Sequence, residues 1–307
     1  MRQAIVVTAA LAVLTTVALA EDVGHSFLVA GFRSGTVFQV NATGEVEKLA
    51  TGAKSVQDVW RLPSGNILYS FNNGVREIDS KTKKTVWEFV DKESKKLETH
   101  SCQPLPNGNV LLCQCGPKRL LEVNNKGEIV KEIKLKTTIA NTHLQFRMAR
   151  LTQEGTYLVG YFKEGKAEEL DAEGKVLKTF TPKEKGFKTV HSCVRLDNGH
   201  TLLTTGYGGA TFEFDKDGTI IWEFTKNDVP EEKKKEKGRK YCTYAAGVQR
   251  LPNGNTVISY YSGNPQFVEV TPDKKIVWEY FNPKLSAIAS QTRLDSEGDP
   301  LKFEVKR

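Results

Sequence analysis

Past its first twenty residues the chain has no segment approaching ~20 consecutive apolar residues, which excludes a membrane-spanning helix from the body of the sequence. It has no nucleophile motif, no glycine-rich phosphate loop and no consensus metal-ligand spacing, so no reaction class can be read from a short motif. Nothing in it resembles the aromatic-plus-basic platform of a nucleic-acid binder. Cysteines number five, an odd count that leaves at least one thiol free. Cys113-Gln114-Cys115 is spaced too closely for a C-x-x-C redox or zinc motif. A chain of 307 residues can build its core without staples, so most cysteines read as small buried residues. One disulfide stays open, with a connectivity that spacing does not give.

The one strongly apolar stretch lies at the start. Arg2 precedes an uncharged run from Gln3 to Ala20 that ends Ala18-Leu19-Ala20 and is followed by Glu21-Asp22. A positive start, a short apolar run and small residues at the cleavage position read as a signal peptide over residues 1–20. Residues 21–307 are then expected to form one domain, secreted or periplasmic. The formal net charge of +7 is mildly basic and weakly favours an anionic partner.

An internal repeat sets the fold. Arg61-Leu62-Pro63-Ser64-Gly65-Asn66 returns as Pro104-Leu105-Pro106-Asn107-Gly108-Asn109, as Arg195-Leu196-Asp197-Asn198-Gly199-His200 and as Arg250-Leu251-Pro252-Asn253-Gly254-Asn255. Arg150-Leu151 carries a divergent turn, and Arg293-Leu294-Asp295-Ser296-Glu297-Gly298 is last. A period of ~40–50 residues with short strands is that of a propeller blade. The unit around Arg250 predicts four strands, over residues 245–251, 256–261, 266–270 and 276–280, all rich in β-branched and aromatic residues. Asn-Gly between the first two suits a two-residue hairpin. The fourth strand often carries a Trp, as in Val86-Trp87-Glu88-Phe89, Ile221-Trp222-Glu223-Phe224 and Val277-Trp278-Glu279-Tyr280, which reads as packing between blades.

Neither end makes a whole unit. The N-terminal part predicts three strands, over residues 26–32, 36–40 and 46–49, and residues 290–294 supply the missing one. The expectation is an all-β, six-bladed β-propeller closed by pairing of its N- and C-terminal strands, which removes the open edge. Residues 300–307 read as an additional edge strand or a tail.

Arg-Leu-Pro-Asn-Gly-Asn-Thr followed by Val-Trp-Glu-Tyr resembles the repeats of arylsulfotransferase-like propellers and, more loosely, of PQQ-like repeat proteins, over nearly all of residues 26–299. The resemblance implies the propeller frame, which hosts many functions. PQQ proteins resemble larger rings of eight blades, so no PQQ is expected in six. The arylsulfotransferases imply a channel histidine as the sulfate carrier, and their repeats often show His-Asp before the inner strand. Here Gln57-Asp58 stands in that place, and His100 and His191 fall at the same repeat position in later blades.

The loops leading into the inner strands and the turns between second and third strands are expected to share the face that surrounds the channel mouth. His100, His143 and His191 precede successive inner strands. Three imidazoles converging there suit Zn²⁺ with an open position, or a nucleophile or general base. The plainer reading bonds each to backbone at a blade junction. Cys102 and Cys193, two residues beyond His100 and His191, suggest a Cys–His nucleophile, against which their inner-strand position counts. Further mouth candidates are Arg33, Gln57, Asn72, Asn73, Lys118, Lys163, Tyr207, Tyr244 and Tyr261: the cations for an anion, the tyrosines for stacking on a sugar ring. Their plainer reading is ordinary turn composition. Residues 225–244 form a junction ~10 residues longer than the others, a candidate lid that would bring Tyr241 and Tyr244 near the mouth. Asn41-Ala42-Thr43 is a glycosylation sequon of a kind common by chance.

The expected function is an exported propeller that binds a small or carbohydrate-like ligand, anionic by charge balance, at the channel mouth. The alternative is an enzyme, arylsulfotransferase-like or a metal-assisted lyase or hydrolase, that uses the channel histidines. Neither a protein partner nor an oligomeric state can be read from the sequence.

Overall fold

A computed structural model describes residues 24–93 and 96–294. The leader over residues 1–20 and the segment over residues 300–307 lie outside the described residues. Six antiparallel sheets form a ring. Each inner strand contacts the inner strands of its neighbours, and that of the sixth blade meets Ile288–Leu294, so the circle closes.

Blade 1 is built from both ends of the chain. Ser26–Gly31 pairs antiparallel with Thr36–Val40 on one side and with Ile288–Leu294 on the other, placing Phe27 opposite Arg293 and Ala30 opposite Ser290. The shared blade expected from the repeat is therefore present, with its clasp strand starting two residues earlier than residue 290. The inner strands of blades 2 to 6 are Val59–Arg61, Glu98–Pro104, Phe146–Leu151, Cys193–Arg195 and Tyr244–Arg250.

The turn after each inner strand differs from a two-residue Asn-Gly hairpin. In the first turn the Gly65 N–H donates to the Leu62 carbonyl, and the Leu62 N–H donates to the Asn66 carbonyl. Only the glycine is left-handed, with φ of 83° at Gly65 and 85° at Gly254. This is a type I turn closed by a left-handed residue, which accepts Pro63, Pro106 and Pro252 at its second position. The divergent turn at Thr152 has the same two bonds, with Gly155 at φ 80°.

Burial follows the blade geometry. Second strands such as Ile67–Phe71 are buried along their whole length, because both faces of a middle strand meet another blade. The core is accordingly divided among six apolar clusters, one at each blade junction. The fourth strand is the outer edge, and Val86, Val130, Leu177, Ile221 and Val277 stand exposed there. Trp87, Trp222 and Trp278 of these strands pack on junction clusters, as the repeat implies.

The recurring arginines are scaffold. Arg61 donates to Gln39 (2.7 Å), Arg195 to Glu169 and Arg250 to Glu213 (2.5 Å), in each case reaching the third strand of the preceding blade. Arg150 departs from this pattern and turns to Asp58. Its Nη1 lies 2.8 Å from Oδ2 and its Nη2 3.1 Å from Oδ1, and its guanidinium stands over the Trp60 ring. Asp58 also accepts from the Cys102 backbone N–H (3.1 Å) and from the Ser290 hydroxyl (3.3 Å). One buried carboxylate thus ties the inner strands of blades 1, 2, 3 and 4.

All five cysteines are buried and free, so no disulfide forms. Among the described residues no helix is long and apolar enough to cross a membrane.

Candidate functional site

The channel mouth holds a cavity of about 460 Å³. Two kinds of segment build it, as the repeat predicts. The loops leading into inner strands bring Gln57, His143, Leu144, Arg147, His191, Thr243 and Tyr244. The turns between second and third strands bring Phe32, Arg33, Phe162, Tyr207, Tyr261 and Ser262.

Inner strands break register at this end. One extra residue interrupts the pairing at His100, between Thr99 and Ser101, and at Ala246, between Ala245 and Gly247. Another break lies between Phe146 and Ala149, where Arg147 stands. A bulge re-aims the side chain it carries, so residues that an ordinary strand would send into a junction reach the mouth. A further turn departs from the repeat at Gly206–Tyr207, which leaves blade 5 and pairs with Tyr244–Arg250 as a fifth, innermost strand of blade 6. Gly209 permits this, since at φ 63° it lies against the Cys242 backbone, where a side chain would collide.

Beside the cavity a polar network joins blades 3 and 4. The Glu98 carboxylate lies 2.8 Å from His100 Nε2 and 2.7 Å from His143 Nδ1. His100 Nδ1 faces Arg147 Nη1 at 2.9 Å and the Phe146 carbonyl at 2.7 Å. Arg147 Nη1 also donates to the carbonyls of His143 (2.5 Å) and Phe146 (2.9 Å). A neutral His100 has one ring proton for two acceptors, Glu98 and the Phe146 carbonyl, and the ionised Glu98 claims it. His100 and His143 donate N–H to Glu98, and Arg147 donates to His100 Nδ1. Burial, and then the Arg147 charge, bring the His100 imidazolium down to about 4, so the ring is neutral at pH 7. Burial opposes ionisation of Glu98, but the hydrogen bonds from His100 and His143 outweigh it and hold the carboxyl well below its usual range. The network is therefore a carboxylate and a guanidinium separated by a neutral imidazole.

The wall of the cavity is aromatic and cationic. Arg147 stands 4.1 Å from the centre of the Phe162 ring, and Arg33 5.9 Å from that of Tyr261. Tyr244 contacts the rings of Phe162, His191, Tyr207 and Tyr261. Burial raises its phenol to about 12, so it offers a neutral O–H. Among the described residues neither Arg33 nor Arg147 forms an ion pair with a carboxylate. Both guanidiniums face a concave, partly apolar space, where a charge interacts more strongly than on an open surface.

Of the residues singled out from sequence, Arg33, Gln57, His143, His191, Tyr207, Tyr244 and Tyr261 meet at this cavity. The three histidines do not form one cluster. The group of donors within 4.8 Å of one another is Glu98, His100 and His143. His191 instead donates from Nδ1 to the Ala246 carbonyl (2.8 Å), and burial drives its charged form well below the usual range. Asn72, Asn73, Lys118 and Lys163 do not line the cavity. Asn73 turns to the Asp91 carbonyl (3.2 Å) and Lys118 to that of Thr137 (3.2 Å), both toward the fourth strand and away from the axis. Cys102 and Cys193 are fully buried, and burial pushes both thiols up, Cys193 to about 12, which removes the thiolate that a Cys–His nucleophile needs. Residues 225–244 do not hang over the mouth as a lid. They fold into two short helical turns, Lys226–Asp228 and Glu231–Lys235. Ion pairs from Lys233 (2.9 Å) and Arg239 (3.1 Å) to Glu279 fasten them to blade 6. Tyr241 is buried with its hydroxyl on Glu279 (2.8 Å), and only Thr243 and Tyr244 of this stretch reach the cavity.

Sequence reasoning missed Glu98, Arg147, Phe32 and Phe162. Arg147 had a signal: it is a cation within an otherwise apolar stretch, Phe146-Arg147-Met148-Ala149. Glu98 had none, since a glutamate at the start of a strand is ordinary.

No protein-family model matches the chain, and no curated protein matches it significantly. Solved structures do. A protein of unknown function from Bacteroides caccae is similar at 25% identity with a TM-score of 0.74, over 88% of this chain and 99% of that one. A streptogramin B lyase is similar at 11% identity and TM-score 0.62, over 89% and 88% of the two chains. A catalytically inactive virginiamycin B lyase from Staphylococcus aureus, solved with quinupristin, is similar at 13% and 0.60, over 85% and 86%. At such identities the likeness to the two lyases shows the fold alone. The chain is a six-bladed β-propeller.

Proposed function

We propose that the protein is exported and binds a small anionic ligand with a planar or sugar-like body in the mouth cavity. The observation that carries this reading is the pair of guanidiniums, Arg33 and Arg147, facing an aromatic-walled cavity without a carboxylate partner among the described residues. Arginine offers a planar fork of donors that matches carboxylate, sulfate or phosphate. Phe162, Tyr207 and Tyr261 supply ring faces for the ligand body, and Tyr244 a hydroxyl.

Thermal unfolding in the presence of a panel of aromatic carboxylates, aryl sulfates, uronic acids and their uncharged analogues tests this. At a concentration ~100 times its Kd, a ligand that binds only the folded state stabilises it by about 2.7 kcal/mol. Anionic members of the panel are expected to raise the melting temperature and their uncharged analogues are not. Arg33→Ala should weaken binding of the best ligand by roughly tenfold, equivalent to about 1.4 kcal/mol. Equal shifts from charged and uncharged members would remove the anion-binding reading. For export, the expected mature N-terminus is Glu21, and sequencing that finds Met1 retained on protein recovered outside the cytoplasm would contradict the leader.

A second reading attaches to His143. It is half-exposed, it lines the cavity, and a carboxylate orients its Nδ1 while Nε2 has no partner among the described residues. That is the arrangement of a general base or a group-carrying nucleophile, and the repeat resembles that of arylsulfotransferase-like propellers. Incubation with an aryl sulfate and a phenol acceptor tests it: sulfate transfer that is lost in His143→Ala supports an enzyme, and no turnover leaves the binding reading alone.

A further inference from the structure

We propose that Glu98, His100 and His143 constitute a divalent transition-metal site, of the zinc class, at the side of the mouth cavity. One ligand atom from each of the three residues lies within 4.8 Å of the others, and Glu98 Oε2 stands next to both His100 Nε2 and His143 Nδ1. Two imidazoles and one carboxylate suit Zn²⁺ with a position left open for water or ligand. The nitrogens argue against Mg²⁺ and Ca²⁺, which take oxygen ligands. Backbone features hold the donors in place. Glu98 and His100 share an inner strand, with His100 on its bulge. His143 sits in the short turn Thr142–Leu144, where the Asn141 side chain accepts from its backbone N–H.

The surroundings of His100 fit ligation. Metal-bound histidines commonly donate their other ring N–H to a carbonyl or carboxylate. The Phe146 carbonyl lies 2.7 Å from His100 Nδ1. When an ion takes Nε2, His100 carries its proton on Nδ1 and donates it to Phe146. Arg147 Nη1 keeps the carbonyl of His143 as its acceptor at 2.5 Å, so the change of tautomer leaves no buried donor without a partner. Donors around a tetrahedral ion with bonds of ~2.0–2.1 Å stand about 3.3 Å apart. Here they stand 2.8 and 2.7 Å from Glu98 Oε2, hydrogen-bond spacings that open by roughly half an ångström when the ion replaces the two protons. Arg147 lies on the far side of the His100 ring from Nε2, with the neutral ring between its charge and Glu98. Its repulsion lowers the affinity, and the bound ion adds positive charge beside the cavity that His143 lines.

The test uses the folded full-length mature chain, freed of metal by a chelator, with no organic anion present. Its result is therefore independent of the anion-binding reading. Titration with Zn²⁺ is followed by calorimetry, and titration with Co²⁺ by visible absorption. One equivalent should bind, and Co²⁺ should show the intense d–d bands of a four- or five-coordinate site with nitrogen ligands. His143→Ala and Glu98→Gln should each weaken Zn²⁺ binding roughly 100-fold or more, with the circular dichroism of each variant confirming its fold. His200→Ala, at the opposite end of the strands in a turn beside Glu213, should bind as the parent does. Absence of zinc uptake by the parent, or uptake that both folded ligand variants retain, would overturn the site.

Discussion

A chain ending at residue 287 should show no cooperative thermal transition. The deleted segment contains Ile288–Leu294, the inner strand of blade 1. Its loss strips the ladder from Ser26–Gly31 and leaves that strand as an open edge at the centre of the ring. Ile288 also leaves the cluster in which Phe27, Val29, Phe38 and Val40 of blade 1 meet Phe267 of blade 6. The ring then has five complete blades and a gap on the axis. Calorimetry or circular dichroism on heating reads the outcome. A sharp transition at the parent temperature would mean that the ring does not depend on its clasp.

Asp58→Ala should be the most damaging single substitution. Asp58 accepts from Arg150, from the Cys102 N–H and from the Ser290 hydroxyl, which belong to three other blades. Removing one partner of a buried pair costs about 3–5 kcal/mol, because the remaining charge is left without compensation. For a chain of this size that lowers the melting temperature by roughly 10 °C. Asp58→Ala with Arg150→Met should recover much of the loss, since no orphaned cation remains. Equal losses in the single and double variants would show that shape, and not the uncompensated charge, dominates at this place.

The fold was legible because the repeat writes it several times over. Each Arg-Leu followed by a glycine turn marks an inner strand, and the incomplete units at the two ends can only be joined to each other. The hairpin type was not legible from Asn-Gly alone. The proline before that pair selects a type I turn, and only the glycine needs positive φ. The mouth was legible where it is made of loops, because the topology assigns those loops to one face. Arg33, Gln57, His143, His191, Tyr207, Tyr244 and Tyr261 were found in that way. It was not legible where a bulge decides which way a strand residue points. His100 was singled out by its repeat position, but its meeting with Arg147 depends on register breaks at both residues, and Glu98 gains its role only from the two imidazoles that the fold brings to it. Lysines in neighbouring turns misled for the converse reason: Lys118 has the right loop but turns its ammonium to the backbone of Thr137.

The mouth cavity is expected to recognise an anion through Arg147 and Arg33. A crystal structure of the protein with the most stabilising aryl sulfate or aromatic carboxylate from the panel tests it most directly. The acidic group is expected within hydrogen-bond distance of at least one of these guanidiniums, with the ring of the ligand against Phe162, Tyr207 or Tyr261. Ligand density confined to surface lysines or to the opposite face, with the cavity holding only water, would contradict it.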